Sequence, residues 1–140
     1  MSTTTASVSQ TVKEELAILK AKGRAGSSVK TAVIKATRNE LQAPKKKHVE
    51  YLIASTKGNK PNLTALLKAL RSRVSQKDWK VVLKTLAVEH RLLRDADPAF
   101  ATACARTSVT AAQDFSDVKS EGSTQQSAWI RIYSKYLEHK

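Results

Sequence analysis

Four residues, Lys35, Lys45, Lys47 and His48, have types and spacings suited to holding a polyanion. They lie in the run IKATRNELQAPKKKHVEYLI. Pro44 biases the residue before it toward extended backbone, so the Lys-Lys-Lys-His stretch falls on the first turn of a following helix, where backbone N–H groups lack intrahelical partners. Helix dipole and ammonium groups there attract the same anion. Lys45 and His48 are three residues apart and share a helix face, Lys47 flanks them, and Lys46 points sideways. Lys35 sits near the end of the preceding helix, and the short Leu41-Gln42-Ala43 connection folds it back within reach. Flexible ammonium groups with one imidazole suit a ligand bearing more than one phosphate. Lys30, Arg38 and Lys46 are candidates for flanking contacts. The bland alternative is a solvated basic loop that only maintains solubility.

The elements that must position these groups are helical. Val12, Leu16 and Leu19 recur at helical spacing and predict a first helix to about Lys22, packed inward through that apolar face, after a flexible Ser/Thr-rich stretch over residues 1–10. Gly23 and Gly26 end it. A second helix starts near Ser27 or Ser28, carries Val29, Val33 and Ala36 on one stripe, and stops before Pro44. Val49, Leu52 and Ile53 mark the third, Lys45 to about Thr56. Pro61-Asn62 introduces a fourth with Leu63, Leu66, Leu67 and Leu70 on its face, and Asn62 as its candidate cap. Trp79, Val82, Leu83, Leu86, His90 and Leu93 form the broadest stripe, bounded by Gln76 to Asp78 and by Asp95 to Pro98. A short helix from Pro98 to about Cys104 follows, then an irregular stretch in which Val109, Phe115 and Val118 are candidate anchors. A last helix, Gln126 to Leu137, presents Trp129, Ile132, Tyr133, Tyr136 and Leu137. Both tryptophans lie within apolar stripes and are expected in the core. No period-two alternation persists, so the fold class is all-α.

Composition narrows the function. Across 140 residues, 25 Lys+Arg against 12 Asp+Glu give a net charge of +13, which favours an anionic partner: nucleic acid, an acidic protein or an anionic membrane. Between Lys20 and His48, Glu40 is the lone acid. The single cysteine, Cys104, precludes an intramolecular disulfide and agrees with a reducing cytosolic compartment. The opening MSTTTASVSQ has no apolar core and does not read as a secretory signal. No apolar run approaches the roughly 20 residues that cross a bilayer, so membrane contact would be peripheral. His48, His90 and His139 are too dispersed for a metal triad, and neither a phosphate loop nor a nucleophile elbow is present. His90 shares a stripe with Leu86 and Leu93 and reads as a structural histidine. No catalytic residue, metal or cofactor is expected. A nucleic-acid-binding helical protein remains an alternative through the basic positions Lys68, Arg71 and Arg73, although no base-reading helix or interleaved aromatics accompany them. So does a protein-interaction solenoid whose charge is incidental.

The segment KAT, a short spacer and PKKKHVEYLI resembles the signature of the ANTH domain family, the N-terminal module of endocytic clathrin-assembly adaptors. The likeness continues through DWKVVLKTLAVEHRLLRDADPAF, Asp78 to Phe100, and through IRIYSKYL, Ile130 to Leu137. It covers the chain from about Val12 onward. The resemblance implies a right-handed superhelical stack of about six to seven helices, an ANTH/ENTH-like solenoid that binds phosphatidylinositol 4,5-bisphosphate at its surface. It assigns headgroup contacts to Lys35, Lys45, Lys47 and His48. It further implies a peripheral role on the inner face of the plasma membrane, in clathrin-coated pits and vesicles. Clathrin, the adaptor complex and other endocytic adaptors would be reached through a C-terminal tail outside this chain; nucleic acid is a disfavoured partner. Full ANTH domains are about twice this length, so residues 11–140 are expected to form the N-terminal portion of one.

Overall fold

The dominant element is the one whose sequence stripe is broadest. In a computed structural model describing Glu14, Leu16 and residues 27–57, 60–107, 112, 115–117 and 123–138, it is the fourth of six helices. These are α1 (Ser27–Ala36), α2 (Lys46–Ser55), α3 (Lys60–Val74), α4 (Trp79–Asp95), α5 (Pro98–Thr107) and α6 (Ser123–Glu138). Helix α4 begins where Asp78, in extended backbone, accepts a 2.8 Å hydrogen bond from Lys80 N–H, and where Asp117 accepts one from Trp79 N–H at 3.0 Å. Two carboxylates thus satisfy donors that a helix start leaves unpaired. Pro98 stands at the first position of α5, where its missing N–H costs nothing.

Packing follows the order of the helices. Helix α1 lies against α2 and α3, α3 against α4, and α4 against α5 and α6, so all-α stacked architecture replaces any sheet among the described residues. One core joins Val29 and Val33 of α1 to Leu52 of α2, Leu66 and Leu70 of α3, Val88 and Leu92 of α4, and Phe100 of α5. A second joins Val82 and Leu86 to Ile130 and Leu137 of α6, with Trp79, Phe115 and Tyr133 packed at its edge.

Three sequence expectations change. Helix α3 starts at Lys60, before Pro61, so Asn62 lies inside the helix and is not its cap. Pro61 is accommodated because first-turn N–H groups need no helical acceptor. In α6 the aromatic side turns outward: Trp129, Ile132 and Tyr136 are 59%, 62% and 53% exposed. Its buried stripe is Ser123, Ser127, Ile130, Ser134 and Leu137. Serine wins these positions because its hydroxyl accepts backbone N–H groups of the preceding segment, Ser127 from Asp117 at 2.8 Å and Ser134 from Ala112 at 2.7 Å. Small side chains also let that segment approach the helix closely. Last, Glu14 is 3% exposed and Leu16 49%, the reverse of the apolar inward face expected for the first helix. The partner that draws Glu14 inward is described below. The rest of that helix, and Val109 and Val118, lie outside the described residues.

Candidate functional site

Pro44 sets the site. Lys45 follows it in extended backbone (φ −67°, ψ 131°) and serves as N-cap of α2 without a side-chain capping bond. Its carbonyl accepts from His48 N–H at 3.1 Å and Val49 N–H at 3.3 Å, closing the first turn. Val49 and Leu52 anchor the opposite face in the core, which leaves Lys45, Lys47 and His48 at the surface. Lys35 projects from the last turn of α1 and Arg38 from the connection between α1 and α2.

These five residues meet. Lys35, Arg38, Lys45, Lys47 and His48, joined by Glu40, Gln42, Ala43 and Lys84, line a concavity of about 240 Å³. On its other side, Lys35, Lys47 and His48 border a shallower groove between α1 and α2, floored by Ala32 and walled by Tyr51. The trio therefore forms a cationic ridge between two depressions. Of the flanking candidates, Arg38 belongs to the concavity, whereas Lys30 and Lys46 line neither depression. Lys46 turns along its own helix to Glu50, at 3.6 Å.

The connection carrying Arg38, Glu40 and Gln42 is held from beneath. The Arg73 guanidinium donates to Thr37 Oγ1 at 2.8 Å, to the Thr37 carbonyl at 2.9 Å and to Glu14 Oε1 at 3.1 Å. Asn39 N–H donates to the same Glu14 oxygen at 3.1 Å. Lys84 Nζ donates to the Arg38 carbonyl at 3.0 Å. Arg73 is 6% exposed, so its charge is spent inside the protein on Glu14, and the basic surface proposed around Lys68, Arg71 and Arg73 loses its last member. Arg71 in turn donates to the Thr107 carbonyl. Lys84 and Gln42 escaped the sequence reading. A signal existed for Lys84: it stands three residues after Val81 and four before Val88, a lysine within an inward stripe.

Electrostatics at the concavity are repulsive. Burial, and then the charges of Lys47, Lys35, Lys45 and Arg38, hold the His48 imidazole below its ordinary 6.5. Burial lowers the Lys84 ammonium, an effect that Glu40 and Glu14 oppose. Lys35, Lys45 and Lys47 form no salt bridge among the described residues. Clustered negative charge would relieve that repulsion. Elsewhere, His90 is half-buried with Nδ1 2.7 Å from the Tyr133 hydroxyl, as suits a structural histidine. Burial pushes the Cys104 thiol up to about 12, which makes it a poor nucleophile. No group of metal-ligating side chains occurs among the described residues, and no helix there is long and apolar enough to cross a membrane.

Residues 28–140 match the family model of the ANTH domain. This chain belongs to the ANTH domain family. It is 35% identical over 116 residues to mouse clathrin coat assembly protein AP180 and to human phosphatidylinositol-binding clathrin assembly protein, matches that cover 82% of the chain. It spans only 13% and 18%, respectively, of the lengths of those relatives. The fold also superposes on the ENTH domain of epsin-2 in complex with phosphatidylinositol 4,5-bisphosphate, with a TM-score of 0.71 and 23% identity over 84% of this chain and 83% of that one. A chain of the endocytic adaptor complex AENTH gives a TM-score of 0.76 at 20% identity, covering 94% and 88%. At these identities the structures establish a shared helical solenoid. The ANTH domain family is a non-catalytic class of lipid-binding and adaptor domains.

Proposed function

We propose that this ANTH domain is a peripheral membrane adaptor module that captures phosphatidylinositol 4,5-bisphosphate and acts in clathrin-mediated endocytosis and coat assembly. The observation that carries this reading is the convergence of Lys35, Arg38, Lys45, Lys47 and His48 on one concavity, with no carboxylate among the described residues paired to the three lysines. Lys35, Lys45, Lys47 and His48 are the headgroup ligands, and Arg38 is a flanking contact. The net charge of +13 draws the domain to an anionic leaflet, and the concavity then selects the multiply phosphorylated headgroup. Two of the relatives are named for clathrin assembly, one of them also for phosphatidylinositol binding, which supports carrying both roles to this chain. The site of action is the cytoplasmic face of the plasma membrane at clathrin-coated pits. Contacts with clathrin, the adaptor complex and other endocytic adaptors belong to a longer protein of which this domain is the lipid-binding part.

The test is sedimentation with neutral vesicles, vesicles containing phosphatidylinositol 4,5-bisphosphate, and charge-matched phosphatidylserine vesicles. Each lysine near an anionic surface contributes about 1 kcal/mol. Reversing two of them in Lys45→Glu, Lys47→Glu exchanges attraction for repulsion, about 4 kcal/mol in all or roughly a thousandfold in affinity. Selective binding lost in the double variant, with helicity unchanged, is the expected result. Equal binding to every anionic vesicle would reduce the concavity to a general electrostatic face.

A further inference from the structure

Leu41 is 81% exposed, the highest value among the exposed large hydrophobic residues described, and it stands at the rim of the most cationic surface. Its neighbours Glu40 and Gln42 both line the concavity, while Leu41 is absent from the lining and open to solvent. Lone exposed leucines are common and mean little. This one differs in its surroundings: Arg38, Lys45, Lys47 and His48 lie within seven residues of it and surround the same depression. A second half-exposed apolar group, Tyr51 at 45%, walls the groove on the far side of the Lys35, Lys47 and His48 ridge. Tyrosine suits the boundary between headgroups and acyl chains, because its ring is apolar and its hydroxyl is wet.

From this juxtaposition we propose that Leu41 is a membrane anchor that enters the acyl region of an anionic bilayer when the adjacent concavity holds a phosphoinositide headgroup. The inference rests on the phosphoinositide reading and adds a hydrophobic contact to an electrostatic one. Charge complementarity fixes the occupant: a surface that meets the ridge must be anionic, and a bilayer offers apolar depth immediately below its phosphates. A folded acidic protein offers charge without that depth, and it would leave the leucine against polar groups. The connection is stiff enough to drive the side chain inward, because its first residues are tied to Arg73, Glu14 and Lys84 by the hydrogen bonds described above. Glu40 is the one acid at the rim, and it partly offsets the Lys84 charge across the concavity.

Leu41→Ser tests the anchor without touching a headgroup ligand. Full burial of a leucine side chain corresponds to about a tenfold or greater gain in partition, so the variant should bind vesicles containing phosphatidylinositol 4,5-bisphosphate about tenfold more weakly. Its affinity for soluble inositol trisphosphate should equal that of the native chain. In parallel, Leu41→Cys labelled with a solvatochromic dye should shift to the blue on those vesicles and stay unshifted with the soluble headgroup, the Cys104 thiol being buried and slow to label. Unchanged vesicle affinity for Leu41→Ser, or an unshifted dye on bound protein, overturns the anchor and leaves the headgroup site standing. Equal loss for vesicle and soluble headgroup also overturns it, since Leu41 would then act by shaping the concavity. Failure of the native chain to bind either probe overturns the headgroup reading and the anchor together.

Discussion

Glu89 sits on α4 with 0% exposure, and neither carboxylate oxygen has a hydrogen-bond partner among the described residues. Burial raises its carboxyl well above the ordinary 4.5. A carboxyl whose folded-state value is raised binds its proton more tightly in the folded than in the unfolded chain. Stability from this group is therefore full below about pH 4.5 and declines as pH rises through the interval between the two values. Across that interval the slope is about 1.4 kcal/mol per pH unit. Glu89→Gln keeps the shape and removes the titration. Native and variant should differ least near pH 4.5, and above it the variant should gain up to about 1.4 kcal/mol per pH unit until the folded carboxyl ionises, a shift of roughly 4 °C in Tm per unit for a domain of this size. Urea unfolding of both proteins at a series of pH values reads the difference directly, because every other titrating group cancels. A difference that stays constant from pH 5 to pH 8 would refute the assignment of a carboxyl whose proton is held by burial.

Two further outcomes follow from named contacts. Glu14→Gln strips the charge from the buried partner of Arg73, with both side chains under a tenth exposed, and should cost about 3 kcal/mol in urea unfolding; adding Arg73→Met should recover part of it, since the stranded guanidinium is then gone. His48 is held below 6.5 by burial and by its lysine neighbours, so the unbound fold takes up fewer protons than the unfolded chain and His48 subtracts stability as pH falls from 6.5. Phosphates reverse that repulsion, binding then takes up a proton, and headgroup affinity should rise from about pH 8 to about pH 6 by at most tenfold per unit. His48→Gln should flatten this rise; identical pH profiles for the two proteins would remove His48 from the site.

Where the sequence was legible, a residue with one dominant physical effect stood at the decisive place. Pro44 put the lysines on the start of α2, Asp78 stands one residue before α4, and the stretch from Asp95 to Pro98 closes it. Hydrophobic periodicity located Val29, Val33 and Ala36 in the core of α1. What periodicity scored as polar, it misplaced. Glu14, Arg73 and Lys84 turn inward because each satisfies a specific group of the connection after α1, and no pattern within one helix reports a partner fifty-nine residues away, the separation of Glu14 and Arg73. Helix α6 was misread for the same reason. Its serines face a segment without any repeat, and their acceptor role outweighs the burial of Trp129 and Tyr136.

The division of the basic residues supports reading the concavity as a binding site and not as a stabilising feature. Arg73 and Lys84 are buried and answered, by Glu14, by Thr37 and by the Arg38 carbonyl, and their bonds hold the connection in place. Lys35, Lys45 and Lys47 stand above that framework without an acidic partner among the described residues, close enough to add their charges to the burial that depresses His48. Like charges at such proximity destabilise the fold that gathers them. The rigid support keeps the three ammonium groups from dispersing, and the repulsion between them is relieved when several phosphates enter at once. A single phosphate answers one or two of these charges and leaves the rest opposed. In the proposed headgroup capture, preference for a multiply phosphorylated headgroup would arise from the same framework that makes the unbound site unfavourable.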